Sequence, residues 1–408
     1  MNEKNKRKRS WETVLSEFTD DLWTEILLRL PIKTLLQFKS VSKSWFSIIS
    51  SHRFATSHLA MAAKDDQILI AHHDVGDYEM EDENSFSLFH LGSGRILKNL
   101  GFPFSQGEYP STEEFSRLIG SDCGIVCVYV SVSAWRATKQ DVDIYLWNPA
   151  TKHSKILPPH TTVLDHRSNM ALGFGFDHVD LDFKLVRVVP CDLSAPVHST
   201  EANLAEIYSS NRNAWRKIEP KPSDVPNESR FRLCLPGFLF AIGYNGLIVF
   251  DINKEVLICD IKLPFSSSEK NYYPQETHVR DFKDTIAVIL SIMYKRKISL
   301  WTLDDKACLA GVGVEASWTK LHVIDVGVRV VLFEGLFNGV QLLLSDEDDN
   351  RLLYDLNNKA TTNVHIPDFF VIGGFFKHTN SLFSLEGFKR IKWAVEHSEI
   401  QMNENIAD

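Results

Sequence analysis

The feature that most constrains the fold of this chain is a segment that recurs six times: an apolar strand-like run, a short polar turn and a second apolar run. The recurrences are marked by Leu88, Leu146, Ile207, Val249, Leu300 and Leu353, so successive copies stand 42 to 61 residues apart. Self-similarity at such a step indicates a repeat architecture. In each copy Asn, Asp or Gly supplies the backbone conformations that a hairpin turn requires.

Hairpins repeated at this step predict a β-propeller, because one blade cannot bury both of its faces and must pack on the next. The strand pattern runs from about residue 67 to residue 393, with short runs of Val, Ile, Leu, Phe and Tyr between turn residues. A pair of β-sandwiches is the alternative. We favour the propeller-like ring because the spacing of 42 to 61 residues between successive copies is that of one blade with loops of variable length.

Residues 18–59, which precede the strands, have a helical apolar period. Thr19 is a candidate N-cap for a first helix, and Pro31 ends that helix and can begin a second one. A third helix is expected after a cap at Ser40 or Ser42. Three short helices in about 40 residues bury too little surface to be stable alone. The segment therefore either packs on the strand-rich domain as a cap or is covered by a separate protein.

Charge and hydropathy exclude several classes of function. The formal net charge is −9, so no overall positive field attracts nucleic acid. No apolar run reaches the roughly 18 residues of a membrane span, and the amino terminus is no secretory signal, which predicts a location in the cytoplasm, the nucleus or both. Residues 1–10 are strongly basic. They are either a nuclear import signal or a solvated tail that no partner protein recognises.

No motif in the sequence predicts a cofactor, a metal ion or a catalytic centre. The six cysteines are thinly spread and are expected to be buried free thiols. The pair His72 and His73 and the acidic run 346–350 lack the spacing of metal sites, and the Gly-x-Gly within residues 173–177 predicts a tight strand turn rather than a dinucleotide site. Isolated carboxylates facing a propeller channel would escape motif reading.

The helical segment resembles the F-box of the large plant F-box group. Residues 25–45, which read EILLRLPIKTLLQFKSVSKSW, carry the most specific part of that resemblance. The start departs from the family pattern, because Phe18 and Thr19 stand where the family usually has Leu-Pro before the acidic pair.

The strand-rich region resembles the F-box-associated interaction domain. The resemblance rests on GSDCGIVC at 120–127, WNPAT at 147–151, GFGFD at 173–177 followed by FKLVR at 183–187, SWTKL at 317–321, and NSLFS at 380–384, the last being similar to the closing segment of S-locus F-box-like members. A kelch description fits less well, since the Gly-Gly that opens each kelch blade occurs only at Gly373 and Gly374.

The fold class that we predict is α+β multidomain, with a small three-helix F-box followed by an all-β, propeller-like domain. The predicted boundaries are a basic disordered tail at 1–12, the F-box at 13–60, a linker at 61–66, the F-box-associated domain at 67–395 and an acidic tail at 396–408.

The resemblance implies a non-catalytic, substrate-recognition subunit of an SCF-type ubiquitin ligase. The F-box would bind a Skp-family adaptor and through it a cullin, while the β domain would bind a target protein. The residues expected to meet the adaptor are Leu22, Ile26, Leu27, Leu30, Pro31, Leu35, Leu36, Val41 and Trp45. For each of them internal packing of the helices is the alternative.

Two other functions stay open at this stage. One is an interaction scaffold that binds partners without directing ubiquitin transfer, and the other is a propeller-type hydrolase with a helical cap. The target protein cannot be read from the sequence. Because loops vary and bind most, residues 74–83, 191–205 and 264–276 are the candidate target loops, with plain solvated loops as the alternative.

Overall fold

A computed structural model provides the structure of this chain. It describes residues 20–62, 67–74, 83–90, 95–101, 113–133, 142–160, 170–189, 204–218, 231–243, 246–265, 275–292, 296–310, 315–348, 350–364 and 370–391. The predicted terminal tails at 1–12 and 396–408, the candidate cap Thr19, and most residues of the three candidate target loops lie outside these ranges.

Four short helices form the amino-terminal part of the described chain: α1 (Asp20–Leu27), α2 (Ile32–Phe38), α3 (Lys43–Ser50) and α4 (His52–Ala62). The three predicted helices are confirmed. Pro31 precedes α2, and Ser42 is the cap of α3, because its Oγ accepts a hydrogen bond from the Trp45 amide at 3.1 Å.

The fourth helix was not predicted. The hydroxyl of Ser51 accepts a hydrogen bond from the Phe54 amide at 3.2 Å and so caps its first turn. Helix α4 continues to Ala62, which lies inside the range 61–66 predicted as a linker. Neither this helix nor any other in the described residues is long and apolar enough to cross a membrane.

Strands make up the rest of the described chain. They are β1 (Gln67–Asp74), β2 (Glu83–His90), β3 (Arg95–Gly101), β4 (Glu113–Asp122), β5 (Ile125–Ser133), β6 (Val142–Asn148), β7 (His153–Ile156), β8 (Ala171–Asp177), β9 (Asp182–Val189), β10 (Leu204–Ser209), β11 (Ala214–Ile218), β12 (Arg232–Leu235) and β13 (Phe238–Ile242). They continue with β14 (Leu247–Asp251), β15 (Val256–Ile261), β16 (Gln275–Phe282), β17 (Thr285–Ile292), β18 (Lys297–Leu303), β19 (Trp318–Asp325), β20 (Val330–Phe337), β21 (Gln341–Asp346), β22 (Arg351–Asp355), β23 (Thr361–Val364), β24 (Phe370–Lys377) and β25 (Lys389–Arg390). A short 3₁₀ helix, Lys306–Ala310, follows β18.

These strands form six antiparallel sheets, which we number as blades 1 to 6. Blade 1 has the order β24-β1-β2-β3, blade 2 comprises β4 to β7 with β25 added at its outer edge, and blades 3 to 6 comprise β8–β11, β12–β15, β16–β19 and β20–β23. The innermost strands β24, β4, β8, β12, β16 and β20 contact one another in a closed circle. The predicted propeller is therefore confirmed, with six blades, and the β-sandwich alternative is excluded.

The carboxy-terminal strand β24 closes the ring. It pairs with β1, so that Lys377 lies opposite Ile68, and it thereby joins the end of the chain to the first strands of the propeller. Strand β24 thereby completes blade 1, and the circle of six blades leaves only short, protected strand edges at the centre.

The six repeated segments all lie at equivalent places. Each marker residue belongs to the third strand of its blade, and the residue after it is aromatic: Phe89, Trp147, Tyr208, Phe250, Trp301 and Tyr354. All six aromatic side chains are less than a tenth exposed. The repeat therefore places one buried aromatic ring in every blade, where it contributes to the packing between neighbouring blades.

Three of the outer hairpins share one turn geometry. Asn148, Asp251 and Asp355 each accept, through the side-chain Oδ1, hydrogen bonds from the amides two and three residues further on. The residue four positions on has a positive φ and donates its amide to the carbonyl of the first. This is the physical basis of the Asn or Asp that follows the aromatic residue in these repeats.

The Gly-x-Gly at 173–177 does not form the predicted turn. It lies in β8, the innermost strand of blade 3. A Cβ added at Gly173 would stand 2.4 Å from the Cβ of Phe231, so this glycine permits a close approach of the chain that enters blade 4.

The registers assign the connections to two faces of the propeller. In blade 3, β8 and β9 turn at Asp177 and Asp182, whereas β9 and β10 meet at Val189 and Leu204, at the opposite end of the blade. We call the face with the first-to-second and third-to-fourth strand turns the turn face, and the opposite one the loop face. The described strand ends that flank all three candidate target loops lie at the loop face.

Removal of β24 should prevent the ring from closing. We expect a chain ending at residue 369 to lose most of its net stability, which for domains is about 5–15 kcal/mol, because blade 1 loses its innermost strand. A chain ending at residue 391 keeps β24 and β25 and is the control. Thermal unfolding followed by circular dichroism checks this, and an unchanged cooperative transition in the shorter chain would contradict the closure by β24.

Candidate functional site

The amino-terminal helices surround a small apolar interior. Leu27, Leu35 and Ile49 are completely buried and come from α1, α2 and α3 respectively. The half-buried ring of Trp45 lies between Trp23, at 5.0 Å between centroids, and Phe38, at 4.9 Å. Paired rings at these distances stabilise a junction beyond the area that they bury, so Trp45 holds α3 against α1 and α2.

Helix α4 links this interior to the propeller. His58 is 6% exposed, and its Nε2 lies 3.0 Å from the carbonyl oxygen of Leu30, at the end of the turn after α1. On the other side of α4, the imidazole of His52 meets the ring of Phe383 edge-on at 5.1 Å and stacks near Phe176 at 6.3 Å. Both phenylalanines belong to the turn face of the propeller.

The contact between the helices and the propeller is continuous. One cluster of buried apolar side chains contains Leu27, Leu35 and Ile49 together with Phe176 and Phe383 of the propeller. The helical segment therefore packs on blades 2 and 3. This agrees with the first of the two alternatives in the sequence analysis, a helical cap on the strand-rich domain. We call the propeller side of this contact the seat.

The seat is built by the motifs that carry the family resemblance. Asn148, which ends the third strand of blade 2, is fully buried and donates from Nδ2 to the carbonyl oxygens of Ser381 (3.1 Å) and Phe383 (2.8 Å). Its Oδ1 meanwhile caps the turn after β6. A single amide thus fixes the NSLFS segment at 380–384 to blade 2.

The GSDCGIVC motif at 120–127 supplies the remaining contacts of the seat. Gly124 has φ of +74°, and a Cβ placed there would stand 2.3 Å from the Oγ of Ser381, so only glycine fits. The carboxylate of Asp122 accepts a hydrogen bond from the Phe176 amide at 2.7 Å, which joins blade 2 to blade 3. These motifs therefore have a structural role that their spacing did not indicate.

A buried histidine completes the attachment of the carboxy-terminal segment. The Nδ1 of His378 lies 2.9 Å from the hydroxyl of Ser121, and the side chain is only 1% exposed. Burial lowers the pKa of His378 to about 4, so its ring is neutral at physiological pH.

Four large apolar residues of α1, α3 and the turn before α3 stay exposed and lie outside the cluster shared with the seat. The exposed fractions are 45% for Leu22, 40% for Ile26, 61% for Val41 and 55% for Phe46. Large apolar side chains left open on a small domain mark an interaction surface when they occur together. We call these four residues, on α1, α3 and the turn between α2 and α3, the open surface.

The nine predicted adaptor-binding residues divide into three groups. Leu22, Ile26, Pro31 and Val41 are exposed; Leu30, Leu36 and Trp45 are half-buried; Leu27 and Leu35 are completely buried. The two buried residues pack inside the helices and are not accessible to a partner in this structure. Phe46, which is exposed beside these residues, was not among the nine, and its only signal in the sequence is that it follows Trp45 as a second aromatic residue.

No metal-binding arrangement is found among the described residues: no three side chains of His, Cys, Asp or Glu come together as a metal ion would need. Cys127 and Cys308 are buried free thiols, as expected, while Cys123 is half-buried. Burial raises the pKa of the Cys127 thiol, which therefore stays protonated. The side chains of His72 and His73 lie outside the described part of the structure.

Four helices seated on a six-blade propeller, with exposed apolar residues outside the seat, are the architecture of an F-box plus β-propeller protein. Comparison with known families agrees: residues 15–57 match the F-box domain, and residues 135–380 match the F-box associated beta propeller domain. The chain belongs to the F-box associated beta propeller family.

Similar proteins come from Arabidopsis thaliana. F-box protein At1g30790 is 26% identical over 307 residues, which cover 70% of this chain and 71% of that protein. F-box protein At4g22390 is 23% identical over 85% of this chain and 82% of its own length. F-box/kelch-repeat protein At3g23880 is 26% identical over 54% of this chain and 57% of that protein.

Solved structures resemble the chain only weakly. A periplasmic gluconolactonase from Pseudomonas aeruginosa aligns with a TM-score of 0.39 and 11% identity over 80% of this chain and 99% of that protein. A likeness of this size has no bearing on function.

Replacement of Asn148 tests the seat. Asn148→Ala removes two hydrogen bonds to the 380–384 segment in addition to the turn cap, and we expect the free energy of unfolding to fall by about 2–4 kcal/mol because two buried carbonyls lose their donor. Asp355→Ala is the matched control, since it removes an equivalent cap in blade 6 at an exposed turn. Urea unfolding measures both, and equal losses would contradict the role assigned to Asn148.

The neutral His378 predicts a pH dependence of stability. Its folded pKa of about 4 lies below the roughly 6.5 of an unfolded histidine, so the unfolded chain binds a proton that the folded chain does not. Stability should therefore fall as the pH drops from 6.5 towards 4, by roughly 3 kcal/mol for this group. The free energy of unfolding of His378→Gln, measured by urea unfolding, should fall less steeply over the same pH range, whatever the stability of this variant at pH 7.5. Identical slopes would show that His378 is not the group that titrates.

Proposed function

We propose that this chain is the substrate-recognition subunit of an SCF-type ubiquitin ligase. Its F-box would bind a Skp-family adaptor and through it a cullin, and its propeller would bind the target protein. The observation that carries the proposal is the open surface, which stays exposed although the other side of the F-box is buried in the seat.

The open surface has the character of a docking site for a folded partner. Its members Leu22 and Ile26 are one helical turn apart on α1, so their side chains lie on the same face of that helix. Burial of four such side chains removes apolar area from water, which is the main favourable term in stable association. The half-buried Leu30, Leu36 and Trp45 would contribute less area, and Leu27 and Leu35 would act only by holding the helices together.

The seat gives the F-box a fixed orientation on the propeller. The ring contacts of His52 with Phe383 and Phe176, and the apolar cluster that both domains share, leave the two domains joined by a packed contact rather than by a flexible tether. A subunit that contributes only proximity must hold its two partners at a defined separation, because the effective concentration of a target lysine depends on the geometry of the link. The seat meets that requirement.

The target would bind at the loop face. The strand ends that flank residues 74–83, 191–205 and 264–276 all point to that face, and the F-box occupies the turn face. Loops carried by a rigid scaffold are the usual place for recognition. The adaptor and the target would thus stand on opposite sides of the ring, in the cytoplasm or the nucleus, and the ubiquitin chemistry would belong to other subunits.

Charged substitutions on the open surface should abolish adaptor binding. We expect Ile26→Asp together with Val41→Asp to weaken binding to a Skp-family protein by more than about tenfold, because each carboxylate would be desolvated at the interface. Leu97→Asp is the matched control, since Leu97 is equally exposed at 50% but lies in β3 of the propeller. Pull-down with purified Skp-family protein measures the effect.

The same proteins separate the ligase from a scaffold. A reconstituted ligase should modify a bound target with the wild-type chain and with Leu97→Asp, but not with the double variant. Retained adaptor binding by the folded double variant would overturn the assignment of the open surface, and binding without modification of any bound target would favour a scaffold.

A further inference from the structure

Three exposed apolar residues of the propeller lie together on its turn face, beside the F-box. Val179 and Leu181 belong to the turn between β8 and β9 of blade 3, and Val256 follows the turn between β14 and β15 of blade 4. Their exposed fractions are 75%, 49% and 48%, and that of Val179 is the highest of any large apolar side chain among the described residues. We call these three residues the turn-face patch.

The two turns that carry the turn-face patch are joined by one buried lysine. Lys184 is 3% exposed, and its Nζ donates to the carboxylate of Asp177, at the start of the blade 3 turn, at 2.6 Å. The same ammonium group lies 2.9 Å from the carboxylate of Glu255 and donates to the carbonyl of Ile252 at 3.2 Å, both in the blade 4 turn. Blades 3 and 4 therefore present their exposed apolar side chains at a fixed separation.

The turn of blade 3 is also held by hydrogen bonds of its own. The Oδ1 of Asp177 accepts from the amides of Val179 at 2.8 Å and Asp180 at 3.1 Å. The carbonyl oxygen of Asp180 accepts from the Nδ2 of Asn211 at 3.2 Å, which ties the turn to the next hairpin of the blade. A surface turn fixed in this way loses little conformational freedom when a partner binds to it.

Leu181 has a backbone conformation that leucine rarely adopts. Its φ is +52°, in the left-handed region that favours glycine and asparagine. The corresponding turns of blades 4 and 5 place Gly237 and Lys283 in this region, and the turn of blade 6 places Asn338 and Gly339 there. None of the other described residues with a positive φ is a large aliphatic one. Strain kept at an exposed position points to a function of the side chain.

The turn-face patch adjoins the surface on which the F-box rests. The imidazole of His178, in the blade 3 turn, meets the ring of Phe176 at 5.0 Å between centroids, and Phe176 lies 6.3 Å from the imidazole of His52 in α4. Phe46 of the open surface belongs to α3, the helix directly before α4. A partner that covers Phe46 and extends past His52 therefore reaches Val179.

The open surface alone is small for a stable interface. Side chains of this kind have roughly 100–150 Å² of apolar area each, so the four half-exposed ones offer about 200–300 Å². A standard protein interface buries about 800 Å² on each partner. A stable complex through the F-box therefore needs further contacts outside the open surface.

We propose that the turn-face patch is a second contact for the Skp-family adaptor that binds the open surface. This inference rests on the proposed function. The F-box and the patch both lie at the turn face, so one folded partner can cover them together without obstructing a target at the loop face. The adaptor meets the patch with apolar side chains of its own, because burial of apolar area on both partners is what stabilises such a contact.

Calorimetric titration of the full chain with a purified Skp-family protein tests the second contact. Val179→Asp together with Val256→Asp should weaken adaptor binding about tenfold, because two carboxylates would have to be desolvated at the interface. Val323→Asp is the matched control, since Val323 is 58% exposed but lies on β19, the outer strand of blade 5. This control should bind the adaptor with the affinity of the wild-type chain.

Leu181→Asn should change stability and adaptor binding in opposite senses. Asparagine adopts the left-handed conformation more readily than leucine, so the midpoint of urea unfolding should rise, while loss of the apolar side chain should weaken adaptor binding several-fold. Lys283→Asn is the matched control, because it makes the same change at a φ of +53° in blade 5 and should leave the affinity unchanged. A leucine with only a structural role would leave the affinity of Leu181→Asn unchanged.

Two results would overturn the second contact: adaptor binding by the Val179 and Val256 double variant as tight as that of Val323→Asp, or an unchanged affinity of Leu181→Asn. Either result, obtained while the wild-type chain binds the adaptor, leaves the proposed function standing. No binding of the adaptor by the wild-type chain would instead overturn the proposed function, and this contact with it.

Discussion

The structure depends on the attachment of its carboxy-terminal segment to blade 2. Strand β24 closes the ring, and the chain after it is fixed to blade 2 by the amide of Asn148 and by the pair of Ser121 and His378. Phe383, at the end of this attachment, then forms part of the surface on which His52 of the F-box rests. Ring closure and the seating of the F-box therefore depend on the same carboxy-terminal segment.

This arrangement gives the two sides of the F-box different roles. One side, formed largely by α4, is buried against Phe176 and Phe383, and it fixes the direction in which the domain points. The other side keeps Leu22, Ile26, Val41 and Phe46 in water. Since a 40-residue helical unit cannot supply its own stability, the propeller stabilises the first side, and the second is left available for a partner.

Much of the fold could be predicted because its causes are local. A buried aromatic residue recurs in the third strand of every blade because blade packing requires it, and in three blades an Asn or Asp follows it because the turn requires that side chain. Ser42 likewise caps α3 through a contact three residues away. Helix α4 escaped prediction because its buried residues Phe54, Ala55 and His58 are few, and much of their burial comes from the cluster shared with the propeller.

The candidate sites depended on contacts that no spacing encodes. Helical periodicity placed Leu22, Ile26 and Leu27 on one apolar arc, but which edge of that arc is buried is decided by packing among helices. Arg232, Arg280 and Lys377 line one cavity but come from three separate strands, so nothing in the linear sequence links them. The motifs at 120–127 and 147–151 were recognised in the sequence. Their structural role, which is to hold the 380–384 segment, became visible only from the contacts between these distant parts of the chain.

The central claim is that one side of the F-box is held by the propeller while the other receives the adaptor. Hydrogen–deuterium exchange of the full chain, with and without a Skp-family protein, measures both sides in one experiment. The account predicts that the adaptor slows exchange in residues 20–46 and leaves α4 and residues 378–388 as slow as in the chain alone. Faster exchange in α4 on binding, or protection confined to α4, would contradict it.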